Sequence, residues 1–166
     1  MDLKVSLLID RAENEILAAQ ALKRLSEENE LKLEFSFPSS VSFYSSVISH
    51  SYYAVFYSAK AYLLARSNLI LQEQGQHQQV YFEFRKLVKE GILSEDLLNI
   101  YEDIKGRAEV LLEIIKTEKE KRKNFSYETI PQANKQPADD SLTNALFFVS
   151  HIKQVLNNKI KEDEKE

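Results

Sequence analysis

The chain has 166 residues, enough for one domain with a hydrophobic core, and 43% of them are apolar while 29% are charged. Its formal net charge of −4 excludes a protein built to coat nucleic acid with its whole surface, but it is compatible with a local basic patch. Without cysteine the chain forms no disulfide, cysteine zinc site or thiol nucleophile. Three glycines and three prolines are too few for the turns of an all-β fold.

Five segments carry apolar residues at the spacing of an amphipathic helix. In chain order, we predict helices over about residues 2–28, 42–67, 77–90 and 94–122, and a last helix from about residue 138. The apolar stripe of the first helix consists of Val5, Leu8, Ile9, Ala12, Ile16, Ala19 and Leu22. The second helix is nearly free of charge between Ser39 and Ala59, which is typical of a helix buried on most sides.

The connections between these helices carry recognisable signals. The stretch ELKLEFSFPSS alternates apolar and polar residues as a strand does, but no second strand-like run exists to pair with it. We therefore predict a connecting loop that is closed by Pro38. Gly91 is expected to end the third helix in the left-handed conformation, which glycine adopts without a steric penalty. Ser94 is predicted to cap the fourth helix, with Glu95 and Asp96 in its first turn, where the helix dipole favours acids.

Together these signals predict a single all-α domain over residues 1–166, an antiparallel up-and-down bundle of about five helices with a charged tail from about residue 158. The adjacent Asp139 and Asp140 are interpreted as the N-cap and first-turn acids of the last helix, and not as a catalytic pair. No window holds about 18 uninterrupted apolar residues, so we expect no membrane span. The N-terminus has no signal-peptide pattern, which predicts a cytoplasmic protein.

Five of the eight tyrosines fall in the second helix, at Tyr44, Tyr52, Tyr53, Tyr57 and Tyr62. Core packing is the simplest interpretation of aromatic residues at helical spacing, although each buried hydroxyl then needs a hydrogen-bond partner. His50, Tyr53 and Tyr57 share one face of the helix, so a polar seam with a binding role is the alternative. The expected hydroxyl partners on the same helix are His50, Ser51, Ser58 and Lys60.

The segment SHSYYAVFYSAKAYLL resembles the second helix of HEPN domains, with its paired tyrosines followed by alanine. FRKLVKEGILSEDLLNIY and SLTNALFFVSHI resemble later helices of that family, so the resemblance covers roughly residues 40–156. It implies an all-α bundle that forms a homodimer without a metal or other cofactor. It also implies RNA, or a small nucleotidyltransferase of a toxin–antitoxin pair, as a partner.

Many HEPN proteins are metal-independent ribonucleases whose motif is arginine, four to six residues and histidine, placed where two protomers meet. Here the only position pair that fits is Arg122 and Tyr127, in RKNFSY, with tyrosine in place of the histidine. The resemblance implies that Arg122 binds phosphate, since a guanidinium can donate two hydrogen bonds to a phosphate group. Tyrosine is a poor base at pH 7 unless its pKa is strongly perturbed. The neighbouring Lys121, Lys123 and Asn124 are added as candidate binding residues.

The basic cluster and the histidines both have simpler, structural interpretations. The basic cluster is also typical of the charged end of a helix, where Glu118 and Arg122 have the spacing of an ion pair. The chain's histidines are expected to be structural, with His77 hydrogen-bonding locally, His151 partly buried and His50 satisfied in the core. Of the three, His50 has the strongest case for a role, through the polar seam with Tyr53.

Two functions remain open from the sequence. The first is a dimeric binding or regulatory subunit that associates with nucleic acid or a nucleotidyltransferase and has no efficient catalysis of its own. The second is a metal-independent, toxin-like ribonuclease in which Arg122 and Tyr127 form a composite site across the dimer. The missing histidine favours the first, and a purely structural helical dimer is the third alternative.

Overall fold

The structure, a computed structural model, describes residues 2–67, 72, 74–121 and 135–163. Every regular element in these ranges is a helix: α1 (Leu3–Glu27), α2 (Asn29–Glu34), α3 (Tyr44–Ser67), α4 (Gln76–Lys89), α5 (Glu95–Lys121) and α6 (Lys135–Asp163). The prediction of an all-α helical bundle is confirmed, with six helices in place of about five. None of the helices within the described ranges is both long enough and apolar enough to cross a membrane.

The aromatic helix α3 lies at the centre of the bundle, as its near absence of charge predicts. It packs against α1, α4, α5 and α6, and it packs most extensively against α1 and α6. Its fully buried side chains include Val47, Ile48, Ala54, Val55 and Ala59. Burial of this kind on several sides supplies most of the free energy that stabilises the fold, because it removes apolar surface from water.

The helices around α3 bury the stripes that their periodicity predicts. In α1 the buried residues of the stripe are Val5, Ile9, Ala12, Ile16 and Ala19, and Leu8 and Leu22 pack partly against them. In α6 the exception is Leu146, which is 41% exposed although it shares the apolar spacing of Leu142 and Val149. It lies on the rim of a groove of about 760 Å³ between α1 and α6, opposite Leu17.

The connection between α1 and α3 differs from the predicted loop, because Asn29–Glu34 form the short helix α2. The side chain of Lys32 is buried and donates to the carbonyl oxygen of Ser39 at 2.9 Å, while Phe37 donates its amide to the carbonyl of Lys32 at 2.8 Å. These contacts fold the segment back on itself. The alternating apolar residues Leu33, Phe35 and Phe37 are exposed, so the alternation in sequence does not correspond to a strand with one buried face.

The helix ends agree with the predictions at α4 and α5 but not at α6. Gly91 follows α4 with a φ of 73°, in the left-handed region, as expected. Glu95 and Asp96 occupy the first turn of α5. The N-cap assignment of Asp139 and Asp140 is wrong, because α6 begins at Lys135. Both aspartates lie in the second turn, where Asp139 pairs with Lys23 at 2.9 Å and Asp140 accepts from Gln136.

Candidate functional site

The predicted site residues divide between two places. Arg122, Lys123, Asn124 and Tyr127 lie outside the described residues, and Lys121 is the last residue of α5, with its side chain also outside them. His50 and Tyr53 both lie on α3. The rings of Tyr52, Tyr53, Phe56, Tyr57 and His77 pack together, and His50 lies three residues before Tyr53 on the same helix. We call these six residues the tyrosine–histidine cluster.

His50 is held by a carboxylate of the neighbouring helix. Its Nδ1 lies 2.6 Å from Oε2 of Glu15, whose side chain is only 9% exposed. The other oxygen of Glu15 pairs with Nε of Arg11 at 3.0 Å. A buried carboxylate needs such partners, because an unpaired buried charge is strongly destabilising. His50 thus has the hydrogen-bond partner expected of a structural histidine, but the partner comes from α1, and the side chain is 35% exposed and so does not lie in the core.

His77 lies in the first turn of α4 and packs onto α3. Its ring stacks on the buried ring of Phe56 with centroids 3.9 Å apart and planes 15° apart. Its Nδ1 lies 2.9 Å from the hydroxyl of Tyr52, and its ring is 5.7 Å from that of Tyr53 in an edge-on arrangement. The expected local hydrogen bond is therefore wrong, since the partner is 25 residues away in sequence.

The surroundings of His77 favour its neutral form. Burial lowers the pKa of His77 from its ordinary value of 6.5, and the nearby Lys60 ammonium lowers the pKa further. Burial also lowers the pKa of Lys60, which donates to Oε1 of Gln76 at 2.8 Å. Burial raises the pKa of Tyr52 to about 12, so this phenol keeps its proton at neutral pH and can donate it to Nδ1 of the neutral imidazole.

The outer side of the cluster is an exposed aromatic surface beside a cation. Tyr53 is 39% exposed and stacks on Tyr57 with centroids 6.2 Å apart and planes 26° apart. The guanidinium carbon of Arg11 lies 5.4 Å from the centre of the Tyr57 ring, within the range of a cation–π interaction. An exposed tyrosine stacked on a half-buried one next to arginine can accept the flat face of another aromatic group, such as a nucleobase.

The tyrosine hydroxyls find partners other than those expected. Ser51 and Ser58 donate to carbonyl groups of their own helix, at Val47 and Ala54, and so do not serve the tyrosines. The observed partners of hydroxyl groups are His77 for Tyr52, Arg66 for Tyr62 and Glu102 for Tyr81. Short serine side chains on a helix bond most easily to the carbonyl one turn back, which explains the difference.

The sequence did not place Arg11, Glu15 or His77 at the same site as Tyr53. Arg11 and Glu15 are four residues apart on α1, a spacing that by itself predicts only a surface ion pair. The one signal in the sequence was Glu15 itself, because it continues the apolar stripe of α1 as an acid. As a whole residue, Glu15 is only 7% exposed.

Protonation of His77 is expected to weaken the fold. Above pH 6.5 the imidazole is neutral in both the folded and the unfolded chain, so the full stability is present. As the pH falls below 6.5, the unfolded chain takes up the proton first, because the pKa of folded His77 is lowered. The free energy of unfolding should therefore decline from about pH 6.5 down through the folded pKa. Urea denaturation at a series of pH values between 8 and 5 measures this decline.

The variant His77→Gln is the control for this titration. All other titratable groups are common to both proteins, so the difference between the two curves isolates His77. The wild-type curve should be steeper below pH 6.5, and the curves should run parallel above it. Parallel curves over the whole range would contradict the assignment of a lowered pKa.

The groove between α1 and α6 offers less chemistry than the cluster. Its walls are mostly uncharged, and Glu13 and Lys153 pair with each other across it. Within the part of the chain that the structure describes, no three histidine, aspartate or glutamate side chains are grouped so that they could hold a metal ion. The tyrosine–histidine cluster is therefore the place where exposed rings, cations and imidazole groups come together.

Comparisons with models of known protein families, with curated protein sequences and with solved structures find no match to this chain.

Proposed function

We propose that this chain is a HEPN-like helical dimer of the cytoplasm that binds single-stranded nucleic acid as a binding or regulatory subunit, without efficient catalysis of its own. The observation that carries the proposal is the exposed Tyr53, stacked on Tyr57 with Arg11 over that ring. Aromatic faces next to cations are the usual means by which proteins hold unpaired bases, because every base has a face that can stack.

Charge supports a local surface of this kind. The chain has a net charge of −4, so its surface as a whole repels phosphate. Arg11 and Lys60 lie on the cluster, over the rings of Tyr57 and Phe56, and the Lys60 ammonium donates to the uncharged amide of Gln76. When a base of a nucleic-acid strand stacks on Tyr53, the cationic side chains of Arg11 and Lys60 lie beside the stacked rings. Binding should therefore weaken as the salt concentration rises.

The dimer and the partner protein enter the proposal through the family resemblance. A HEPN-like dimer would bring two copies of the segment with Arg122 and Tyr127 into one cleft, with Lys121, Lys123 and Asn124 beside them. A small nucleotidyltransferase is the proposed protein partner. Sedimentation at micromolar concentration tests the dimer, and a monomer there would remove the basis for a composite site.

The proposed function is tested by replacing Tyr53 with alanine. Loss of one base-stacking ring should weaken binding of a labelled 12-nucleotide single strand by about tenfold or more. Fluorescence anisotropy at low salt measures the affinity. The variant Tyr53→Phe keeps the ring and should bind nearly as the wild type does.

Phe82→Ala is the matched control, because Phe82 is a 51% exposed aromatic residue on α4 outside the cluster. It should leave the affinity unchanged. Equal losses of affinity for Tyr53→Ala and Phe82→Ala would mean that any exposed aromatic residue contributes to binding, and not this surface in particular. Binding that is unaffected by Tyr53→Ala would refute the proposed surface.

Metal-independent ribonuclease activity is the second candidate function, and one observation favours it. The cluster places the imidazole of His77 beside the cation of Lys60, and because Nδ1 accepts from the Tyr52 hydroxyl, Nε2 carries a hydrogen that it can donate to a phosphate oxygen of a bound strand. Cleavage of RNA in EDTA that is lost in Arg122→Ala would support this function over simple binding.

A further inference from the structure

The connection between α1 and α3 presents large apolar side chains to solvent. Leu33 is 77% exposed, Phe35 is 56% exposed and Phe37 is 37% exposed. The rings of Phe35 and Phe37 stack on each other, with centroids 5.8 Å apart and planes 23° apart. We call these three residues the α2 tip. Apolar groups that are gathered on a surface in this way mark a place where a protein contacts another molecule.

The backbone of the α2 tip is held in one arrangement by hydrogen bonds. The amide of Phe37 donates to the carbonyl of Lys32 at 2.8 Å, and the amide of Ser36 donates to the carbonyl of Leu33 at 3.0 Å. The Lys32 ammonium donates to the carbonyl of Ser39 at 2.9 Å. Ser36 has a φ of 56°, in the left-handed region that residues other than glycine adopt rarely. Because the tip is ordered in advance, a partner that binds it loses less entropy in ordering it.

Two acidic residues lie beside the exposed apolar groups. Glu30, Leu33 and Glu34 are separated by helical steps of three and four on α2, so they share one face, and all three are exposed. Among the described residues, neither Glu30 nor Glu34 belongs to an ion pair, whereas the neighbouring Glu28 pairs with Arg24 at 2.7 Å. The α2 tip is therefore an apolar surface with negative charge at its edge.

This charge decides which class of molecule fits the α2 tip. The carboxylates of Glu30 and Glu34 repel the phosphates of nucleic acid and of anionic lipid surfaces. They attract a protein segment that carries lysine or arginine beside its apolar residues. An amphipathic helix of this composition can bury its apolar face on Leu33 and Phe35 and place its cations beside the two carboxylates.

We infer that the α2 tip docks a basic amphipathic segment of a partner protein, with the apolar face of that segment on the tip and its cations beside Glu30 and Glu34. No residue of the tyrosine–histidine cluster takes part, so the tip can bind its partner whether or not that cluster binds nucleic acid. The partner also explains why the alternating leucine and phenylalanine side chains before Pro38 lie outside the core.

The experiment measures binding of two labelled synthetic peptides to the full chain by fluorescence anisotropy. Both peptides have leucine at helical spacing, and the remaining positions are lysine in one and glutamate in the other. The chain should bind the lysine peptide about tenfold more tightly than the glutamate peptide. The double variant Leu33→Ala/Phe35→Ala should bind the lysine peptide about tenfold more weakly than the wild type. Its urea midpoint should stay close to that of the wild type, because both side chains are exposed.

A second double variant tests the charges. Glu30→Gln/Glu34→Gln should weaken binding of the lysine peptide by roughly 3- to 10-fold and make it less dependent on salt. Binding of the glutamate peptide should not weaken. The matched control is Asp10→Asn/Glu90→Gln, which removes two exposed carboxylates from other parts of the surface and should leave both affinities nearly unchanged. Equal losses in the two charge variants would mean that the lysine peptide responds only to net charge, and this would overturn the inference.

The matched control for the apolar variant is Leu17→Ala/Phe147→Ala, because these side chains are 61% and 55% exposed on α1 and α6. It should bind the lysine peptide as the wild type does. A loss here as large as that in Leu33→Ala/Phe35→Ala, or no loss in the latter, would show that the α2 tip is not the docking site.

Two other occupants of the α2 tip are tested with the same apolar variant. If wild-type protein sediments with phosphatidylcholine vesicles and Leu33→Ala/Phe35→Ala does not, the tip binds a lipid surface. If wild-type protein is a dimer in sedimentation and the variant is a monomer, the tip binds a second copy of the chain. Either result would overturn the inference of a basic partner segment.

Discussion

Replacing Phe56 with alanine is expected to lower the free energy of unfolding by about 3–5 kcal/mol, the usual cost of removing a buried phenyl ring. Phe56 is 3% exposed on the central helix α3, and its ring supports that of His77 at a centroid distance of 3.9 Å. The cavity left by the ring cannot be filled by neighbouring side chains without strain, because protein cores are closely packed. Urea denaturation measures the change.

The same substitution should alter His77. Without the phenyl ring the imidazole loses the apolar surface on which it stacks, so its lowered pKa should move back toward 6.5. NMR titration of the imidazole resonances reads this shift independently of stability. Phe82→Ala is the matched control for the stability measurement, because Phe82 is 51% exposed, and it should change the free energy of unfolding by no more than about 0.5 kcal/mol. A similar small change for Phe56→Ala would show that this ring is not part of the core.

The second large effect is expected at the junction of α5 and α6. Arg107 donates from Nη1 to the carbonyl of Pro137 at 3.0 Å and to the hydroxyl of Ser141 at 3.1 Å, and it pairs with Asp103 at 2.8 Å. Arg107→Ala should lower the free energy of unfolding by about 2 kcal/mol, because a fully buried hydroxyl and a backbone carbonyl lose a charged donor.

This junction has a further consequence for the candidate site. The chain between α5 and α6 contains Arg122 and Tyr127, and Arg107 joins the two helices near the start of α6. If the proposed nucleic-acid surface and that segment act together, Arg107→Ala should also weaken strand binding. Thermal unfolding measures the loss of stability in Arg107→Ala, and fluorescence anisotropy measures its loss of nucleic-acid binding, so the two effects can be separated.

Arg24→Ala is the control for this prediction. Arg24 forms a two-point ion pair with Glu28 at 2.7 and 3.0 Å, but its side chain is 63% exposed and it joins no two long helices. Exposed ion pairs contribute little to stability, because water and salt screen them. The unfolding midpoint of Arg24→Ala should therefore stay close to that of the wild type. Equal losses for the two arginine variants would mean that the Arg107 contacts stabilise the junction no more than a surface pair does.

The tyrosine–histidine cluster shows how much of the site could be predicted. His50 and Tyr53 were identified because they share one face of a helix, a relation that follows from helical geometry alone. Glu15 and His77 could not be assigned to the same place, because they reach His50 and Tyr52 from 35 and 25 residues away. Which residues of two helices meet depends on how the helices are rotated and offset against each other.

The all-α class, the stripe that α1 buries, the central position of α3 and the glycine stop after α4 could all be predicted from the sequence. These properties depend on the period of apolar residues and on local backbone preferences, which can be read within one or two helical turns. That residues Asn29–Glu34 form α2 and that α6 begins before Asp139 became clear only from the folded chain. It alone also showed the carboxylate that orients His50. Those outcomes depend on contacts between residues far apart in the chain, such as Lys23 with Asp139 and Glu15 with His50, whose free energies no local pattern contains.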